Sequence, residues 1–152
     1  MYEFLQCQVR DAMTADPIVI SPKAKLREVE ELFETHDFNG VPVVDEQWRL
    51  LGILTKFDVL KAFSLDPQAI APRYDDIMEQ AIETVMTRDP TSVSPKLPLS
   101  RLLQKLVEMR TKSLPVVENN RLVGIISRED VLKALRRATI KHELPDHEGS
   151  RP

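Results

Sequence analysis

The sequence predicts an α/β fold built from two tandem β-α-β-β-α repeats. Three observations carry this reading. The chain is written twice: Met13-Thr14-Ala15-Asp16-Pro17 returns as Met86-Thr87-Arg88-Asp89-Pro90, and Ser21-Pro22-Lys23 as Ser94-Pro95-Lys96. Val41-Pro42-Val43-Val44 returns as Leu114-Pro115-Val116-Val117, and Asp58-Val59-Leu60-Lys61-Ala62 as Asp130-Val131-Leu132-Lys133-Ala134. The spacing is constant except in the turn after Val44, where the first repeat has one extra residue. Within each repeat, apolar residues recur at helical spacing: Leu26, Val29, Leu32 and Phe33 in the first, Leu99, Leu102, Leu103 and Leu106 in the second. Finally, paired apolar runs joined by polar turns, Val41–Val44 with Leu50–Leu54 and Leu114–Val117 with Leu122–Ile126, read as hairpins.

The remaining elements follow in order. Phe4, Leu5, Val9 and Ala12 match Ile77, Met78, Ile82 and Val85, so each repeat begins with a leading helix. Ile18-Val19-Ile20 and Thr91-Ser92-Val93 are short β-prone runs closed by Ser-Pro. Pro98 suits a first helical position, and its partner Lys25 marks the same start in the first repeat. Pro42 and Pro115 cannot donate to a ladder and belong at strand starts or an edge. The expected organisation is a first repeat with leading helix over 1–64, a linker over 65–74 carrying Pro67 and Pro72, a second repeat over 75–138, and a polar, disordered tail over 139–152.

Composition narrows the function classes. The net charge of −3 and 5% aromatic content weigh against a nucleic-acid binder. The lone Cys7 excludes an internal disulfide and suits a reducing compartment. No apolar run is long enough to span a bilayer and the first residues lack a signal-peptide pattern, so a cytoplasmic location without membrane contact is expected. His36, His142 and His147 have no second ligands at metal spacing, and Cys7 has no evident base. No metal site and no catalytic residue is expected; the reading is not an enzyme.

The pattern Met-Thr-x-Asp-Pro, then hydrophobic-Pro-Val-Val, then Gly-Ile-hydrophobic-Thr/Ser-x-x-Asp, resembles CBS (cystathionine β-synthase) domains, from about Val9 to about Arg137. The resemblance implies two repeats packed about a pseudo-twofold axis, with two related clefts between them. It implies regulatory ligands rather than a required cofactor: AMP, ADP, ATP, S-adenosylmethionine or NAD-type compounds, bound for energy or metabolite sensing. It also implies a homodimer that signals to a regulated protein, here unidentified.

Thr55-Lys56-Phe57-Asp58 and Ser127-Arg128-Glu129-Asp130 each admit two readings. As bare sequence, Ser/Thr-x-x-Asp opening a helix is a capping box. By resemblance, the carboxylate receives the hydroxyls of a ribose, beside a helix N-terminus. The favoured cleft would combine Asp130, Ser127 and Ile125 with Asp16, Ile18, Ser21, Phe38 and Asn39, with Thr111 and Lys112 toward phosphate. The second would combine Asp58, Thr55 and Ile53 with Asp89, Thr91 and Ser94. The first is favoured because Lys112 brings charge where the other repeat has Asn39-Gly40. Phe38 also reads as core, and Lys112 as a solvated helix end. The alternative function is a ligand-free dimerisation or protein-docking module.

Overall fold

The computed structural model describes residues 2–35, 40–64 and 74–149, with side chains described over 3–139 of these. The expected linker, apart from Tyr74, lies outside them. The elements are α1 (Tyr2–Gln6), α2 (Val9–Ala12), β1 (Thr14–Ala15), α3 (Leu26–Thr35), β2 (Gly40–Val44), β3 (Leu50–Thr55) and α4 (Lys56–Ser64). Then follow α5 (Tyr74–Met78), a 3-10 turn (Ile82–Thr84), β4 (Thr87–Arg88), α6 (Leu99–Met109), β5 (Ser113–Glu118), β6 (Arg121–Ser127) and α7 (Arg128–Gly149).

The mixed α/β class is as expected, but the compact units are not the sequence repeats. One unit comprises 1–17, 91–118 and 123–152; the other comprises 18–90 and 119–122. Each repeat thus gives its leading segment to the unit built on the other repeat. The sheets record the exchange: β1 pairs with β6 in the order β1-β6-β5, and β4 pairs with β3 in the order β2-β3-β4. The first is the Asp130 unit and the second the Asp58 unit.

In the Asp130 unit, Phe4 and Val9 join Leu99, Leu102, Leu106, Val116, Ile126 and Val131 in one core. The backbone ties the leading segment down: Val9 N–H donates to Leu97 O at 2.8 Å and Leu99 N–H to Cys7 O at 3.0 Å. The Asp58 unit has the matching core of Leu26, Val29, Val41, Val43, Leu54, Met78 and Ile82. Its counterpart bonds run from Ile82 N–H to Ala24 O at 2.8 Å and from Leu26 N–H to Gln80 O at 3.0 Å.

Close approach explains one glycine in each hairpin. A Cβ on Gly124 would stand 2.7 Å from Met13 Sδ and 2.8 Å from Thr14 O. On Gly52 it would stand 2.6 Å from Thr87 O and 2.8 Å from Met86 Sδ. The repeated Met-Thr strand therefore lies directly over the repeated Gly.

Three details differ from the sequence reading. Ile18–Ile20 and Thr91–Val93 are not strands of the sheets: each contributes one parallel bridge, Ile20 to Val43 and Val93 to Val116. Prolines at 17, 22, 90 and 95 bracket these runs and keep the pairing short. The leading helices are broken into α1 and α2, and into α5 and a 3-10 turn. The tail does not begin at 139; the α7 backbone continues to Gly149. Ala, Leu, Arg, Lys and Glu dominate 134–144 and favour continuation, although Pro145 removes one ladder donor. Pro42 and Pro115 do lie on edge strands, as expected.

The hairpin turns reach the same reversal differently. The second uses Asn119 and Asn120, both left-handed at φ 52° and 63°, a turn suited to the twist of its strands. The longer first turn places Trp48 left-handed at φ 64°. That conformation costs a residue bearing a Cβ about 1–2 kcal/mol.

Candidate functional site

Both Ser/Thr-x-x-Asp motifs are fully formed capping boxes. At α4, Asp58 N–H donates to Thr55 Oγ1 at 3.1 Å, and Thr55 N–H to Asp58 Oδ2 at 3.0 Å. At α7, Asp130 N–H donates to Ser127 Oγ at 3.1 Å, and Ser127 N–H to Asp130 Oδ2 at 2.9 Å. The capping reading is correct for both. Asp is short, yet it reaches because the preceding strand delivers the Thr or Ser backbone directly onto the first helical turn.

The carboxylates then diverge. Asp58 is 3% exposed. The Thr87 hydroxyl donates to its Oδ1 at 2.9 Å and lies 3.2 Å from its Oδ2. Asp130 is half-buried. Among the described residues its Oδ1 receives no hydrogen bond, and Thr14, the repeat partner of Thr87, makes none to it. A cavity of about 370 Å³ in the same unit is lined in part by Asp130, Thr14, Lys133 and Arg137. Asp130 can therefore accept a hydroxyl from outside the protein; Asp58 is already satisfied from within.

The Asp130 unit brings further expected residues near this carboxylate. Ile125 lies on β6 opposite Thr14. Arg128, between Ser127 and Asp130, ties down the Thr111–Lys112 segment: its N–H donates to Lys112 O at 2.9 Å, and its Nε to Thr111 O at 2.8 Å. Asp16 follows β1 in the direction away from Ser127, because Ala15 already pairs with Gly124. Asp16 and Asp89 are both left-handed, at φ 49° and 50°, a conformation that Asp tolerates better than most residues. They turn the chain from the short strand into Pro17 and Pro90.

The other expected residues are dispersed. Ile18 and Ser21 belong to the Asp58 unit, and Phe38 and Asn39 lie outside the described residues. Ile18 is 39% exposed. Of the second set, Ile53, Thr55, Asp58 and Asp89 share the Asp58 unit, whereas Thr91 and Ser94 belong to the other. The Ser21 and Ser94 hydroxyls each accept the N–H two residues on, from Lys23 at 3.3 Å and Lys96 at 3.2 Å, which is turn chemistry. The residues that sequence reasoning missed are Thr14 and Thr87. The signal was available: the motif repeats Thr in both halves, and antiparallel pairing of Met-Thr with Gly-Ile sets it beside the helix start.

No group of His, Cys, Asp and Glu among the described residues could hold a metal. No described helix is long and apolar enough to cross a membrane.

Two repeats, each a hairpin leading into a capped helix, define the class. The CBS domain family profile matches residues 9–65 and 82–137, and the chain belongs to that family. Among solved structures it is similar to a Vibrio cholerae protein whose name links it to acetoin utilization (AcuB). That likeness is 30% identity at TM-score 0.77, over 97% of this chain and all of that one. It is similar to CBSX2, solved in complex with AMP, at 26% identity and TM-score 0.74, over 87% of this chain and 98% of that one. The CBS pair of protein MJ0100, solved with 5′-methylthioadenosine and S-adenosyl-L-methionine, is 26% identical at TM-score 0.68, again over 87% and 98%. The chain spans 22%, 15% and 42% of the first three curated relatives it matches, two of which are enzymes.

Proposed function

We propose that the chain is a non-catalytic regulatory module that binds an adenosine-containing ligand through Asp130 and passes the binding signal to another protein. The observation that carries this reading is the Oδ1 of Asp130, unfilled among the described residues and set at a helix start beside the Thr111–Lys112 segment. A ribose diol offers two donors to such a carboxylate. Neighbours of this fold hold AMP, 5′-methylthioadenosine or S-adenosyl-L-methionine, which supports the ligand class. Ser127 and Ile125 would flank the sugar, and Lys112 would add positive charge for a phosphate.

The same reading includes a cytoplasmic homodimer formed through α4 and α7. Leu60 and Phe57 on α4 are each 67% exposed and Leu132 on α7 is 55% exposed, more apolar surface than a solitary helix face needs. Phe63 and Leu135, on the same two helices, are partly buried and pack against the two cores.

Thermal-shift measurements with AMP, ADP, ATP, NAD, S-adenosylmethionine and GMP test the ligand class. A ligand present at about 100 times its Kd should stabilise the fold by about 2.7 kcal/mol. Stabilisation by adenosine compounds above GMP is expected. No stabilisation by any of them would favour the ligand-free docking module.

A further inference from the structure

We propose that the first hairpin turn forms a separate binding site for a small zwitterion with an apolar body, such as a free aromatic or branched aliphatic α-amino acid. A cavity of about 480 Å³ lies there, lined by Val19, Ile20 and Val44 and by Lys23, Glu46 and Trp48 among others. That volume is in the ordinary range for small-molecule sites.

Trp48 is the first reason. It is held left-handed at φ 64° although its side chain is the bulkiest available, and it is 42% exposed. The equivalent turn uses asparagines, which accept that conformation with less strain. The first turn keeps an indole where a small residue would relax it, and Trp48 is part of the cavity lining. The turn is also rigid. Asp45 accepts the N–H of Gln47 and of Arg49, both at 2.9 Å, and Arg49 Nε at 2.7 Å. Trp48 O accepts Leu122 N–H at 2.8 Å.

Charge sets the ligand class. The charged side chains of the lining are Lys23, Arg49, Asp45 and Glu46. Arg49 and Asp45 neutralise each other. Among the described residues neither the Lys23 ammonium nor the Glu46 carboxylate has an ion pair or side-chain hydrogen bond. A simple anion would satisfy Lys23 and face Glu46; a simple cation would do the reverse. A molecule carrying both charges satisfies both, while its apolar body lies against Trp48, Ile20 and Val44.

Trp48 is the sole tryptophan of the chain, so its indole N–H gives a single nuclear magnetic resonance signal. The full chain is titrated with L-phenylalanine, with phenethylamine, which lacks the carboxylate, and with 3-phenylpropionate, which lacks the ammonium. L-Phenylalanine should shift the indole signal saturably, and each analogue should bind about tenfold more weakly. Lys23→Gln should erase the discrimination against phenethylamine, and Glu46→Gln that against 3-phenylpropionate. Saturating AMP should leave the L-phenylalanine shift intact, which separates this site from Asp130. A linear, non-saturating shift, equal binding of all three probes, or displacement by AMP would overturn the proposal.

Discussion

The Asp58 and Asp130 units place the same motif on the same strand–helix junction, yet they use its carboxylate differently. In one, the Asp is buried and the Thr87 hydroxyl supplies its external donor. In the other, the capping bonds are the only ones to the carboxylate among the described residues, and none of these fills its second oxygen. The lesson is that capping and ligand binding are not rival readings of Ser/Thr-x-x-Asp. One oxygen caps, and what reaches the other decides whether the residue is structural or receptive.

The comparison can be broken at its base by filling the glycine under the Met-Thr strand. Gly52→Val and Gly124→Val each drive a side chain into a backbone carbonyl and a methionine sulfur. Each should lower stability by about 3 kcal/mol or more, measured by urea unfolding. A loss below about 1 kcal/mol in either would mean that the strand can lift away, and that Thr14 and Thr87 are not fixed beside their carboxylates.

Sharper is the contrast between the two Asp residues. Asp58→Asn puts an NH2 where either the Thr55 N–H or the Thr87 hydroxyl now donates, inside a buried site. It should cost about 2 kcal/mol, whereas Asp130→Asn, half-buried and with one oxygen to spare, should cost about 1 kcal/mol or less. Equal losses would erase the structural asymmetry. Thr87→Val removes the donor alone and should cost about 1 kcal/mol, with Thr14→Val close to neutral.

The smallest expected effect is on pH dependence. Ion pairs in the Asp58 unit join Lys25 and Arg27 to Glu79, Arg27 to Asp75, and Arg49 to Asp45. Hydrogen bonds from Lys25 and then Arg27 hold the Glu79 carboxyl below its ordinary value. For Asp45, burial pulls upward, but the bonds from Arg49 and Gln47 outweigh it and the net direction is down. A depressed folded pKa stabilises above the unfolded carboxylate value and loses that contribution as pH falls through the folded one. Hydrogen exchange below about pH 4 should therefore loosen the Asp58 unit before the other, modestly because Glu79 is exposed and Asp45 only partly covered. Glu79→Gln should reduce that difference.

Much of this fold is legible in the sequence because it is local. Lys25 and Pro98 mark the helix starts, and the Pro-Val-Val and Gly-Ile runs mark the hairpins, through backbone rules that act within a few residues. The exchange of leading segments is not legible. Phe4 and Val9 have the same apolar spacing as Ile77 and Ile82, so periodicity cannot say which core each enters. The sequence marks two Asp residues and ranks their clefts by Lys112, but it does not show how the two carboxylates themselves differ. What separates them is the hydroxyl of Thr87, 29 residues from Asp58 in sequence and adjacent to it through the β3–β4 pairing.

Calorimetric titration of AMP into the wild type, Asp130→Asn and Asp58→Asn tests the central claim most directly. The account predicts that Asp130→Asn weakens binding about tenfold or more, since an amide cannot match a carboxylate receiving ribose hydroxyls. Asp58→Asn should bind AMP within about twofold of wild type despite its larger loss of stability. Wild-type affinity in Asp130→Asn, or a loss confined to Asp58→Asn, would contradict the account.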